Sequence, residues 1–254
     1  SRRRQVDLRK RNIDLIVGMK FVAPIYVGLV RQVGQRDNGT GAALIKHGLA
    51  FDHRWERPVA AILDHLGLED VTLVGLSLGG WLCQRAAAHD PRVTRVIASG
   101  GCADYLEIVP AANRWMFTFF MRWEGFFNGS AQFKMRRNPR MNWEISNTMH
   151  ITRTDTPLEA SRRLNLQLSR ENQRPQDLRQ DVLLLTGAKD HFIPLRLHQR
   201  QVDALVTARS VTERVFTPAE NAASHCQIGN VGLALDTMLA WLDDRAAAPA
   251  DRVA

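Results

Sequence analysis

Residues 70–91, DVTLVGLSLGGWLCQRAAAHDP, constrain the fold more than any other part of the chain. The apolar run at 71–75 has the continuous character of a strand buried on both faces, as in a parallel sheet. A helix-forming run, LGGWLCQRAAAHD, follows at once and stops before Pro91. Nothing separates the two but Gly75-Leu76-Ser77-Leu78-Gly79. A turn that abrupt crowds the backbone around its central residue, and glycines two positions to either side of Ser77 relieve the crowding. The helix that starts there also points its unpaired N–H groups back at the serine, where negative charge would be stabilised.

The flanking segments continue the alternation. WERPVAAILDHLGLED (55–70) reads as a helix, with Pro58 in its first turn, Val59, Ile62, Leu63 and Leu66 on one face, and Gly67 at its C-terminal cap. RVTRVIASGG (92–101) reads as a strand, and DVLLLTG (181–187) as another. A helix after Pro194, the strand TERVFT (212–217) and a last helix around VGLALDTMLAWLDDR complete the pattern. Strands alternating with helices imply an α/β fold with a doubly wound, mostly parallel sheet.

The rhythm breaks between 104 and 180. RWMFTFFMRWEGFF (114–127) is crowded with aromatic residues, and TPLEASRRLNLQLSRENQ (156–173) reads as helix. This segment is expected to be a helical cap inserted into a core formed by 39–103 and 181–245. Trp115, Phe119 and Trp123 are expected to pack the insertion onto that core, with a pocket for an apolar substrate on its inner face as the competing use of the same aromatics. Residues 246–254 read as a disordered, Ala-rich tail.

Charge narrows the partners. The net charge is +8, but six Arg/Lys against one Asp in residues 1–12 account for +5 of it. A basic end of this kind is a solvated tail, and nucleic-acid binding is not expected. Residues 13–30 are apolar, yet Asp14, Lys20 and Pro24 interrupt them, so one or two strands or a packed segment is expected there rather than a membrane anchor. Residues 1–38 together are a basic and apolar segment with no assigned fold. Cys83, Cys102 and Cys226 are odd in number and scattered, which disfavours a disulfide framework or a zinc site and fits a reducing, cytoplasmic compartment. Cys226 reads as a packing residue.

A serine hydroxyl is a poor nucleophile. It needs a base within hydrogen-bond reach, an acid to orient the base, and donors for the oxyanion. Gly-x-Ser-x-Gly set between strand and helix resembles the nucleophile elbow of the α/β-hydrolases, a family whose reactive residues follow the order serine, acid, histidine. The resemblance implies Ser77 as nucleophile and the backbone N–H of Leu78 as one oxyanion donor. Asp190, in AKDHFIP after the strand at 181–187, then matches the acid, and His225, before the final helix, matches the base. Asp104 is the rival acid and Glu220 a more distant one. His191 is expected to point away, and His198 to lie in a helix.

Residues 39–243 further resemble a bacterial and fungal group of α/β-hydrolases, acylaminoacyl-peptidase-like and dihydropseudooxynicotine-hydrolase-like. That group carries an HGG-like motif, the source of a second oxyanion donor, upstream of a GPGQG-like loop. Here the loop position reads RDNGTGAAL, with Gly39 and Gly41, and residues 1–38 hold no His-Gly pair. The second donor is therefore unassigned. The implied activity is hydrolysis of an ester, amide or thioester of a small, apolar substrate through an acyl-enzyme, with no metal or organic cofactor. Carbon–carbon bond hydrolysis by the same three residues and a non-catalytic binding homologue are the alternatives, and a protein tethered through residues 13–30 is the most remote.

Overall fold

A computed structural model describes residues 15–21, 23–30 and 50–247 of the chain. Six strands form one sheet: β1 (Leu15–Phe21), β2 (Ala23–Val30), β3 (Val71–Leu76), β4 (Val93–Ser99), β5 (Asp181–Gly187) and β6 (Ser210–Phe216). Their spatial order is β2-β1-β3-β4-β5-β6. β1 and β2 pair antiparallel, and every other neighbouring pair is parallel. The segment at 13–30 thus supplies two strands, one of them against β3. The basic residues 1–12, the RDNGTGAAL loop with Gly39 and Gly41, and residues 248–254 lie outside the described residues. The last helix runs through Ala247, two residues into the stretch expected to be tail.

The apolar runs of the central strands are explained by cover on both faces. Leu73, Val96, Ala98, Val182 and Leu184 enter one core cluster, with residues of helices α1 (Glu56–Leu66) and α2 (Leu78–His89). Their alternating neighbours Val74, Ile97, Leu183 and Leu185 enter a second cluster, with Phe216, Ala234, Met238 and Trp241. The period-two alternation of side chains therefore divides the middle of each central strand between two cores. Gly67 ends α1 in the left-handed conformation its C-cap position demands (φ 59°, ψ 42°).

Between β4 and β5 the structure is helical: α3 (Ala111–Phe120), α4 (Glu124–Arg137), α5 (Pro139–Thr152), α6 (Pro157–Ser161) and α7 (Arg170–Gln173). The helix expected over 156–173 is broken into α6, a wide π turn at Arg162–Leu166, and α7. The Ser169 hydroxyl accepts from the Asn172 N–H and starts a new helix, which Arg174 ends in the left-handed region. Two further helices, α8 (Arg196–Ala204) and α9 (Val231–Ala247), follow β5 and β6.

The expected packing role of Trp115, Phe119 and Trp123 is corrected. These residues are 66%, 44% and 61% exposed. Trp115 and Phe119, four apart on α3, share one outward face. Trp123, just beyond the helix, lies beside Phe119 at a ring separation of 6.2 Å, while Phe117 packs against Phe127 at 6.0 Å and Phe120 stacks on Phe126 at 4.7 Å. Among the described residues, no helix is long and apolar enough to cross a membrane.

Candidate active site

Ser77 follows β3 directly and caps α2 with φ 56° and ψ −123°. This backbone conformation is strained for a residue with a β-carbon, at a cost on the order of 1–3 kcal/mol. The turn is held from both sides: the Ser77 N–H donates to the Ser99 carbonyl (2.7 Å) and the Gly80 N–H to the Ser77 carbonyl (2.9 Å). Gly75 is obligatory for a spatial reason, since a β-carbon there would lie 2.0 Å from the Gly79 carbonyl oxygen. Leu78, fully buried, opens α2, so its N–H belongs to the first turn of the helix, where no intrahelical carbonyl is available.

Asp190 lies three residues beyond β5, and its side chain is wholly shielded from solvent. One carboxylate oxygen, Oδ1, accepts from the N–H groups of Phe192 (2.8 Å) and Ile193 (2.9 Å). The other, Oδ2, accepts from Nδ1 of His225 at 2.7 Å. His225 is 3% exposed and begins the 3₁₀ turn His225–Asn230 between β6 and α9. With Nδ1–H committed to Asp190, Nε2 remains an acceptor for the Ser77 hydroxyl, 2.9 Å away. Three residues 35 and 148 positions apart are so joined in one hydrogen-bonded line. The Lys189 N–H donates to the Ala223 carbonyl (2.9 Å), clamping the Asp190 loop to the His225 loop.

Burial pulls the His225 imidazole down, whereas the Asp190 hydrogen bond, the adjacent Cys226 and the Asp190 charge pull it up; the net displacement is upward from 6.5. The rival acids are engaged elsewhere. Asp104 accepts from the Leu106 N–H and caps a 3₁₀ turn, and Glu220 accepts from Thr217 and pairs with Arg214. His198 lies in α8 between Thr186 and Glu213. His191 stacks on Phe192 at 4.2 Å, with its ring 6.2 Å from that of His225. Burial pushes the Cys83 thiol up to about 12, as befits an unreactive core residue. Among the described residues, no His/Cys/Asp/Glu cluster could hold a metal ion.

Two contributors carried no sequence signal that pattern reading detects. Gly100 has φ +64°, and a β-carbon there would lie 3.1 Å from Cε1 and 3.2 Å from Nδ1 of His225. Phe192 packs edge-on to His225 at 4.9 Å. On the strand side, Met19 of β1 pairs with Leu76, the residue before Ser77, so β1 ends beside the elbow.

A parallel sheet flanked by helices, with a serine turn at the carboxyl end of an inner strand, defines an α/β-hydrolase fold. A family model for the alpha/beta hydrolase fold matches residues 51–165. The chain is similar to the hydrolase LUC6 of a Fusarium species, at 26% identity over 226 residues, covering 81% of this chain and 53% of the relative. It is also similar to the hydrolase acrC of Aspergillus aculeatus, at 26% identity over 230 residues, covering 82% and 52%. Among solved structures it resembles the fold of 2,6-dihydroxy-pseudo-oxynicotine hydrolase, with a TM-score of 0.51 at 19% identity, covering 79% of this chain and 48% of that one. The chain spans about half the length of the curated relatives it matches.

Proposed function

We propose that the chain carries a serine hydrolase site that cleaves an ester, amide or thioester through an acyl-enzyme. Ser77 Oγ attacks the carbonyl carbon while His225 Nε2 takes its proton. The resulting imidazolium is stabilised by Asp190, and His225 returns the proton to the leaving group. Water, deprotonated by His225 in the second half, then releases the acid. The Leu78 N–H faces the developing oxyanion at the helix N-terminus. The C-terminal end of β1 is the side from which a second donor would come, because Met19 lies opposite Leu76.

The observation that carries this reading is the pair of contacts at His225, 2.7 Å to Asp190 and 2.9 Å to Ser77. The same three residues serve the hydrolysis of a carbon–carbon bond flanked by carbonyls, the second chemistry such a site supports.

The helical segment between β4 and β5 is proposed to act as a lid over a small, apolar substrate. It contains a cavity of about 340 Å³ whose walls include Phe117, Phe120, Phe127, Ile145 and Leu164. Met141, also on its wall, follows Arg140, whose guanidinium lies over Phe192, and Phe192 rests on His225. Apolar walls with a few polar groups are usual for small-molecule sites.

A fluorophosphonate probe tests the chemistry. Stoichiometric labelling of the folded protein, abolished in Ser77→Ala, is expected. A folded wild type that takes up no label, or a Ser77→Ala variant that still labels, overturns the reading.

A further inference from the structure

Directly after His225 the backbone adopts a conformation that its sequence does not favour. Cys226 (φ 50°, ψ 28°) and Gln227 (φ 54°, ψ 35°) are both left-handed. Residues with a β-carbon enter that region at a cost, and two in succession, neither Gly nor Asn, are unusual. The consequence is visible in the side chain of Gln227. It is fully buried, and its Oε1 accepts from the Ser99 hydroxyl at 2.7 Å, Ser99 being fully buried as well. Its Nε2 has no hydrogen-bond partner. A half-satisfied buried amide on a strained backbone is a poor device for stability alone.

Ser99 is what Gln227 reaches for, and Ser99 already holds the nucleophile turn. Its carbonyl accepts from the Ser77 N–H at 2.7 Å and from the Cys226 thiol at 3.7 Å. Its neighbour Gly100 supplies the surface against which the His225 ring lies. One residue at the end of β4 therefore grips the serine turn through its backbone and the histidine loop through its side chain.

We infer that Gln227 is a positioning residue, which locks the His225 loop to the Ser77 turn through Ser99 and so sets the separation between Nε2 and Oγ. The inference rests on Ser77 being the nucleophile. Gln227→Met keeps the volume and removes the acceptor, Ser99→Ala removes the donor, and Gln227→Glu restores an acceptor. Each is titrated with the fluorophosphonate probe to separate the inactivation rate from probe affinity, alongside thermal unfolding.

Gln227→Met and Ser99→Ala are each expected to slow inactivation by roughly ten- to a hundredfold at unchanged probe affinity. The double variant should be no slower than the worse single, as for two ends of one bond, and Gln227→Glu should recover most of the rate. The inference is overturned if folded Gln227→Met labels at the wild-type rate, if the single losses multiply, or if Gln227→Glu fails as badly as Gln227→Met. Should Gln227→Met not fold, Ser99→Ala takes its place: a folded Ser99→Ala that labels at the wild-type rate, or a Gln227→Glu as slow as Ser99→Ala, overturns the inference. A wild type that does not label sinks the serine chemistry itself, whereas a labelling wild type with indifferent variants sinks only the role of Gln227.

Discussion

Gly100 lies directly against His225: a β-carbon on Gly100 would stand 3.1 Å from the imidazole Cε1, close enough that the ring must give by a few tenths of an ångström. The same glycine is left-handed, at φ +64°. Gly100→Ala therefore meets two obstacles, a conformation alanine resists and a ring that must move to admit it. The ring is tethered at both nitrogens, so it yields by lengthening its bond to Ser77 or to Asp190. A misplacement on the order of 1 Å costs about a hundredfold in rate. We expect Gly100→Ala to remain folded, with melting lowered by a few degrees, and to lose at least about tenfold in serine reactivity. Measured inactivation at the wild-type rate would show that the ring has room to spare.

The pH dependence follows from the environment of His225. In the proposed mechanism only the neutral imidazole accepts the serine proton, so reactivity rises with pH along a limb set by its pKa. With the folded value displaced upward from 6.5, that limb lies above the position of an unperturbed histidine. Asp190→Asn removes an upward pull and leaves burial to act downward, so the limb moves to lower pH while its plateau falls by about 10⁴. Stability has the opposite sign. A pKa raised by folding contributes stability that is fully present below the unfolded value and is lost as pH rises through the folded one. Wild-type melting should therefore decline with rising pH across that window, and less so in Asp190→Asn. A wild-type limb centred at or below pH 6.5 contradicts this account.

Gly75 makes a different prediction, about folding and not chemistry. A β-carbon 2.0 Å from the Gly79 carbonyl oxygen cannot be accommodated by a side-chain rotation, because the obstacle is backbone at the start of α2. Overpacking usually costs about 1–3 kcal/mol, and a clash with a main-chain carbonyl belongs at or beyond the upper end. Gly75→Ala is expected to lose more than about 3 kcal/mol in denaturant unfolding or to accumulate as insoluble protein. Near-wild-type stability would mean that β3 and α2 can separate at the turn.

What could be read from the sequence, and what could not, divides along physical lines. The strands at 71–76, 93–99 and 181–187 announced themselves because both faces are covered, so their central positions are mostly apolar. Ser77 was legible because the turn it occupies leaves almost no freedom in its neighbours. Asp190 and His225 were placed by the α/β-hydrolase order that the elbow's resemblance implies, and the structure brings His225 within hydrogen-bonding distance of both Asp190 and Ser77. Gly100 and Gln227 were not legible: their positions depend on where the His225 loop crosses the end of β4, a contact between residues more than a hundred positions apart. The placement of residues 15–21 against β3 was hidden for the same reason, since an apolar run states that it is buried and not which strand it adjoins. The aromatic stripe misled because aromatic spacing identifies a helix face but not what that face meets.

That stripe gives the last prediction. Trp115 and Trp123 are more than half exposed, whereas Phe120 stacks on Phe126 at 4.7 Å and lines the cavity between the helices. An exposed side chain whose ring packs against no other aromatic contributes little, so Trp115→Ser should change unfolding free energy by no more than about 0.5 kcal/mol, and Trp123→Ser, which also loses the 6.2 Å ring contact with Phe119, by about 1 kcal/mol at most. Phe120→Ala deletes a half-buried ring and its stacking partner's contact. Its cost should fall below the ~3–5 kcal/mol of a fully buried phenylalanine, near 1–3 kcal/mol. If the cavity holds the apolar part of the substrate, Phe120→Ala should also raise KM across a series of p-nitrophenyl esters of increasing chain length, most for the longest, with kcat little changed. Chemical denaturation and that ester series together separate the exposed aromatics from those that line the cavity. Tryptophan variants that destabilise as much as Phe120→Ala would show that the exposed stripe is itself packed in solution.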